Sequence, residues 1–118
     1  MGQNSKPKNR NKEAKSYFEL WYSLYPEVFN PNKPKILALQ IDKEIRKAHS
    51  DLIVKSIKHA LRLWTGRRTY LERFSRDTYR YHLDGSVAQE ITVTDKEYAK
   101  TKLIEKHKRA MQKQQSSK

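Results

Sequence analysis

From Lys12 onward the apolar residues Tyr17, Leu20, Trp21 and Leu24 fall at helical spacing until Pro26 stops the run, which predicts a first, aromatic-rich helix. Glu27 to Lys35 holds Pro31, Pro34 and two Asn and reads as an irregular connection into Ile36, Leu37, Leu39 and Ile41. A short helix over about Ile41 to His49 follows. Ser50 or Asp51 is then placed to cap a third helix, whose stripe of Ile53, Ile57, Ala60, Leu61 and Trp64 ends at Gly66. Lys55, Lys58, His59 and Arg62 recur at intervals of three and four on its other side. One helix thus buries one face and presents cations on the other.

Arg67 to Phe74 predicts one or two further helical turns carrying Tyr70, Leu71 and Phe74. The period then changes from helical to alternating: Tyr79, Tyr81 and Leu83 interleave with Arg80 and His82, and Asp84-Gly85 marks a tight turn before Val87, Ile91 and Val93. A β-hairpin is expected there. Thr94 to Glu97 reads as a capping box opening a last helix over Asp95 to about Met111. The expected architecture is α+β, mainly α-helical, with about five helices and a small β-hairpin. Residues 1–11 form a polar, basic arm without apolar periodicity, expected to be disordered; residues 12–111 form one domain, and residues 112–118 a fraying polar tail.

Charge sharpens this picture. Lys and Arg number 26 against 13 Asp and Glu, a formal charge of +13 on 118 residues. Such a field points to a polyanion, with nucleic acid favoured over an anionic membrane surface. The absence of cysteine excludes disulfides and thiolate metal sites. With no apolar leader and no run of membrane-span length, a cytoplasmic location is expected. His49, His59, His82 and His107 share no metal-ligand spacing, and His82 near Asp84 lacks the nucleophile or second base a nuclease needs. With only Gly2, Gly66 and Gly85, no phosphate-cradling loop can be built. No catalytic residue, metal, cofactor or small-molecule substrate is therefore expected.

The segment from Lys55 to Arg80 carries eight cations and two acids, interleaved with Trp64, Tyr70, Tyr79 and Tyr81. Cations neutralise phosphates while an aromatic face stacks on an unpaired base, a combination suited to RNA. Trp64, Tyr79 and Tyr81 fit core or cross-strand positions as well. Tyr70 is the strongest functional candidate among the aromatics, because Arg67, Arg68 and Thr69 precede it as phosphate donors. A nonspecific basic protein, binding double-stranded DNA or the ribosome, is the alternative. Against groove reading of DNA, the exposed face of the third helix offers Lys55, Lys58, His59 and Arg62 rather than base-reading Asn or Gln.

LRLWTGRRTYL from Leu61 and YRYHLDG from Tyr79 resemble the signature of the ProQ/FinO family of bacterial RNA chaperones, as do LYPEVFNPNKP, LALQIDKEI and ITVTDKEYAK at their places along the chain. The resemblance covers about residues 12 to 110. It implies a mainly helical domain with a small hairpin, whose concave face binds structured RNA, typically the base of a hairpin and its single-stranded 3′ tail, on small RNAs and messenger RNA 3′ ends. It assigns the pocket tyrosine to Tyr70, the strand arginine to Arg80, helix-three cations to Lys58 and Arg62, and a last-helix cation to Lys100. Gly66 to Thr69 would supply helix N-terminal amides to a terminal phosphate group. Ala38, Gln40 and Val54 depart from the family pattern, with Lys33, Lys35 or Lys55 placed to compensate. The protein would be a minimal, single-domain member acting as a monomer.

Overall fold

The computed structural model describes residues 6–116, with side chains from Asn11 to Lys113. Among the described residues the chain forms α1 (Lys6–Leu24), α2 (Ile41–Ala48), α3 (Val54–Thr65), α4 (Arg68–Glu72) running into a 3₁₀ turn (Arg73–Ser75), β1 (Tyr79–Tyr81), β2 (Val87–Glu90) and α5 (Val93–Ser116). The fold is the expected α+β arrangement of five helices and one hairpin.

The core is an aromatic seam between α1 and α3. Trp21 and Trp64 are fully buried, and Phe29, from the loop after α1, bridges them with ring centroids 4.9 Å from Trp21 and 5.2 Å from Trp64. Phe18 adds a further contact with Trp64 at 5.5 Å. Such tilted ring packing adds about 0.5 to 1.5 kcal/mol per pair beyond the area buried. Ile41 and Ile45 bring α2 onto the same core, and Ala99 seats α5.

Several boundaries differ from the sequence reading. Helix α1 begins at Lys6, inside the stretch expected to be a disordered arm; residues 1–5 lie outside the described residues. Leu24, expected at the helical spacing of the first helix, is exposed, as is Leu39 in the segment after the connection. Neither Ser50 nor Asp51 caps α3: the N-cap position is Ile53, in extended backbone with no side-chain hydrogen bond, and its side chain is exposed rather than part of the stripe. The last helix continues beyond Met111 to Ser116, through part of the tail expected to fray.

The cap of α5 also sits two residues earlier than expected. Thr92 Oγ1 accepts the Asp95 N–H at 3.0 Å and Asp95 Oδ2 accepts the Thr92 N–H at 3.3 Å, a reciprocal capping box one turn long. Thr94 and Glu97 are therefore not the cap. The cause is the strand before it: Ile91 is buried and still pairs with Thr78 through its N–H, so the chain can first turn at Thr92, and Val93 is the opening residue of the helix rather than part of β2.

β1 and β2 are antiparallel, with Tyr79 opposite Glu90 and Tyr81 opposite Val87. Two residues, Ala88 and Gln89, thus face Arg80 alone, which is a bulge. The turn closes with Gly85 N–H donating to the His82 carbonyl at 2.9 Å, and Gly85 adopts φ 87°, a conformation open to glycine. On its other edge Tyr81 forms a parallel bridge to Leu37, its N–H donating to the Ile36 carbonyl and its carbonyl accepting the Ala38 N–H.

Candidate nucleic-acid interface

A parallel bridge on Leu37 occupies the backbone groups of Ile36 and Ala38 and turns Leu37's own N–H and C=O the other way, where they need partners. Two side chains supply them. The Leu37 N–H donates to the Tyr70 hydroxyl at 3.1 Å, and Arg80 Nη1 donates to the Leu37 carbonyl at 2.9 Å. The bulge opposite Arg80 aims its guanidinium across the sheet end, where Nη2 also meets Asp95 Oδ2 at 3.1 Å. Tyr70, Arg80 and Asp95, from α4, β1 and α5, are thereby joined around one peptide unit.

This cluster lies at the bottom of a cavity of about 670 Å³ lined by Arg62, Thr65 and Gly66 from the end of α3, Tyr70, Leu71 and Phe74, Arg80, and Asp95, Tyr98, Lys102, Lys106 and Arg109 along α5. Five cations surround one acid. Tyr70 is only 4% exposed, so its ring offers no open stacking face. Burial pushes that hydroxyl up to about 12, against the lowering effect of the Leu37 N–H and the Arg80 charge, so it keeps its proton and can donate it. Burial also acts to raise the Asp95 carboxyl, but hydrogen bonds from Arg80 and Thr92 outweigh it and hold the group below the usual carboxylate range. Arg80 Nε is buried with no hydrogen-bond partner among the described residues.

Of the cations read from the sequence, Arg62 and Arg80 line this cavity, and Lys55 and Lys58 line a neighbouring depression of about 320 Å³ that shares Arg62 with it. The two hollows form one basic surface along α3. Arg67 is used differently. Its guanidinium covers Trp64 and Phe18, 4.5 and 4.8 Å from the ring centroids, and reaches the Tyr22 hydroxyl at 3.4 Å, so it closes the core. Arg68 and Thr69 are exposed on α4 but line neither hollow, and a five-residue helix carries little dipole to offer a phosphate. Lys100 is exposed on the side of α5 away from Lys102. Lys35 stacks over Tyr81 at 4.4 Å and Lys33 is exposed on the loop, so of the three compensating lysines only Lys55 lies on the basic surface. Val54 is exposed beside a third depression bearing Lys43, Arg46 and Lys47.

The far wall of the cavity escaped the sequence reading. Tyr98 is 61% exposed, with Lys102 Nζ 5.5 Å from its ring centroid, and Lys106 and Arg109 continue along the same helix face. Their spacing from Tyr98, at four, eight and eleven residues, is the signal that could have found them. Among the described residues no three His, Asp or Glu gather to hold a metal, and His82 contacts Glu44 at 2.6 Å while Asp84 bonds Ser86. No helix there is long and apolar enough to cross a membrane.

The sequence model of the ProQ/FINO family matches residues 12–116. The chain belongs to the ProQ/FINO family. Among solved structures it is similar to a FinO-like RNA chaperone from Neisseria meningitidis, with a TM-score of 0.66 and 24% identity over 75% of this chain and 92% of that one. It is also similar to a ProQ homologue from Legionella pneumophila, with a TM-score of 0.66 and 19% identity over 91% and 90% of the two chains. At those identities the likeness shows the shared fold. No match was found among curated proteins.

Proposed function

We propose that this ProQ/FINO protein is an RNA-binding chaperone, not an enzyme, that takes hold of structured RNA at a hairpin with a single-stranded 3′ tail. The observation that carries the reading is the cavity: five cations and two tyrosines converge on one hollow, and the basic face of α3 leads into it. A duplex stem lies along Lys55, Lys58 and Arg62, and the tail enters between α4 and α5, its phosphates on Lys102, Lys106 and Arg109 and a base against Tyr98. Family membership and the Neisseria chaperone of the same fold support this assignment. Bound so, the protein acts as a cytoplasmic monomer that shields the 3′ ends of small RNAs and messenger RNAs, or holds them open for pairing. The cations outside the hollows, among them Arg68, Lys33 and Lys100, favour a second reading as a nonspecific nucleic-acid binder. Competition at one near-physiological salt concentration separates the two. A GC-rich hairpin with a short oligo-U 3′ tail should displace itself far better than a blunt RNA hairpin or duplex DNA does; equal competition by all three would leave only the nonspecific surface.

A further inference from the structure

Helix α2 carries a group of cations that neither hollow of the basic surface uses. Ile41 and Ile45 are buried and fix the rotation of the helix, which leaves Lys43, Arg46 and Lys47 exposed on its outer side. With His49 and Ser50 they line a depression of about 460 Å³ that ends at Val54. No acid lines it. The acids of α2 are committed elsewhere: Asp42 lies 3.9 Å from Arg46, and Glu44 turns to the hairpin, where Oε2 meets His82 Nδ1 at 2.6 Å and Oε1 accepts the Leu83 N–H at 3.2 Å. Lys43 and Lys47 have no ionic partner among the described residues. The helix dipole suits Arg46 and Lys47 in the last turn but opposes Lys43 in the first, so helix stability does not account for the group.

The position of α2 against α3 decides what these cations meet. Val54, Lys58, Arg62 and Thr65 are spaced by four, four and three residues, so they form one stripe from the depression at Val54 to the cavity at Thr65. At about 1.5 Å of rise per residue the two ends of that stripe lie about 16 Å apart. A stem that leaves the cavity along α3 therefore reaches the α2 cations next. We infer that Lys43, Arg46 and Lys47 hold the phosphate backbone of the far part of the stem, so that the protein favours stems long enough to pass over α2, given the reading that the stem lies along α3. At about 3 Å per base pair, a stem of about five pairs ends near Val54, whereas one of about ten crosses the depression. Backbone contacts carry no sequence information, so this surface selects length and not sequence.

The test uses the full chain and two GC-rich hairpins with the same oligo-U 3′ tail and stems of about five and about ten base pairs. An uncharged glycol linker replaces each loop, so that no loop phosphate reaches α2. Fluorescence anisotropy is read across a salt series for the wild type and for a variant combining Lys43→Gln, Arg46→Gln and Lys47→Gln. At near-physiological salt the wild type should bind the long stem about tenfold more tightly than the short one. Its log–log salt slope should be steeper on the long stem by about 2, at roughly 0.7 to 0.9 per phosphate contact. In the variant both differences should vanish through loss of long-stem binding, while affinity for the short stem stays within about twofold. Equal loss on both stems would leave only the diffuse field of a +13 protein and overturn the inference, as would a wild type indifferent to stem length. If the triple variant melts below the wild type, Lys43→Gln is read alone, and it should lower the slope by a little under 1 on the long stem only. A long hairpin without the tail is measured beside them: binding equal to that of the tailed one would instead overturn the reading of the cavity.

Discussion

Leu37 accounts for Tyr70 and Arg80 better than either accounts for itself. Both satisfy its backbone, so each is a structural residue as well as a candidate RNA contact. Tyr70→Phe leaves the buried Leu37 N–H without an acceptor, and thermal melting should show a loss of about 1 to 3 kcal/mol. Alkaline pH tests the same hydroxyl. Its pKa of about 12 lies above the ordinary value of 10, so between the two the folded state holds a proton that the unfolded chain has released, and stability falls as pH rises. The wild type should therefore lose up to about 2 to 3 kcal/mol between pH 9 and 12 that Tyr70→Phe does not lose; parallel urea titrations of the two proteins at both pH values check this. Tyr70 stood out in the sequence through Arg67, Arg68 and Thr69 before it, whereas Arg80 stood out only through the family resemblance. Their burial was not legible, since it depends on a bridge between segments more than forty residues apart. The packing of Arg67 was hidden for a related reason: nothing local says that its side chain folds back over Trp64.

At the scale of elements, periodicity found every helix and the hairpin, and erred where two local signals overlapped. TVTDKE contains two patterns of hydroxyl and acid three residues apart, and the buried Ile91 selects the earlier one. The entry to α2 is a different case. Gln40 holds φ 62° with no cap hydrogen bond, a left-handed conformation that costs a residue with a Cβ roughly 1 to 2 kcal/mol. Gln40→Gly relieves that strain while giving the unfolded chain more freedom, and should raise stability by about 0.5 to 1 kcal/mol in denaturant unfolding. Unchanged or reduced stability would mean that Gln40 makes up its strain through contacts.

Across the whole molecule the charge of +13 announced a polyanion, but sequence alone could not say which cations would meet. The long α5 brings Lys102, Lys106 and Arg109 opposite Arg62, while Lys100, two residues from Lys102, points elsewhere. Replacing Lys102, Lys106 and Arg109 together by Ala should lower the magnitude of the log–log salt slope for tailed RNA by about 2, at roughly 0.7 to 0.9 per phosphate contact, whereas Lys100→Ala should change it little. Equal effects per charge at both places would favour a diffuse field over a defined surface.

The most direct test of the cavity as the RNA site is to titrate the tailed hairpin into isotope-labelled protein and follow the amide resonances. The largest shifts should fall on Thr65, Gly66, Tyr70, Arg80, Asp95, Tyr98 and Lys102, with smaller ones along Lys55 to Arg62. Shifts centred on Lys33, Lys100 and the outer face of α5, or spread evenly over the basic surface, would contradict it.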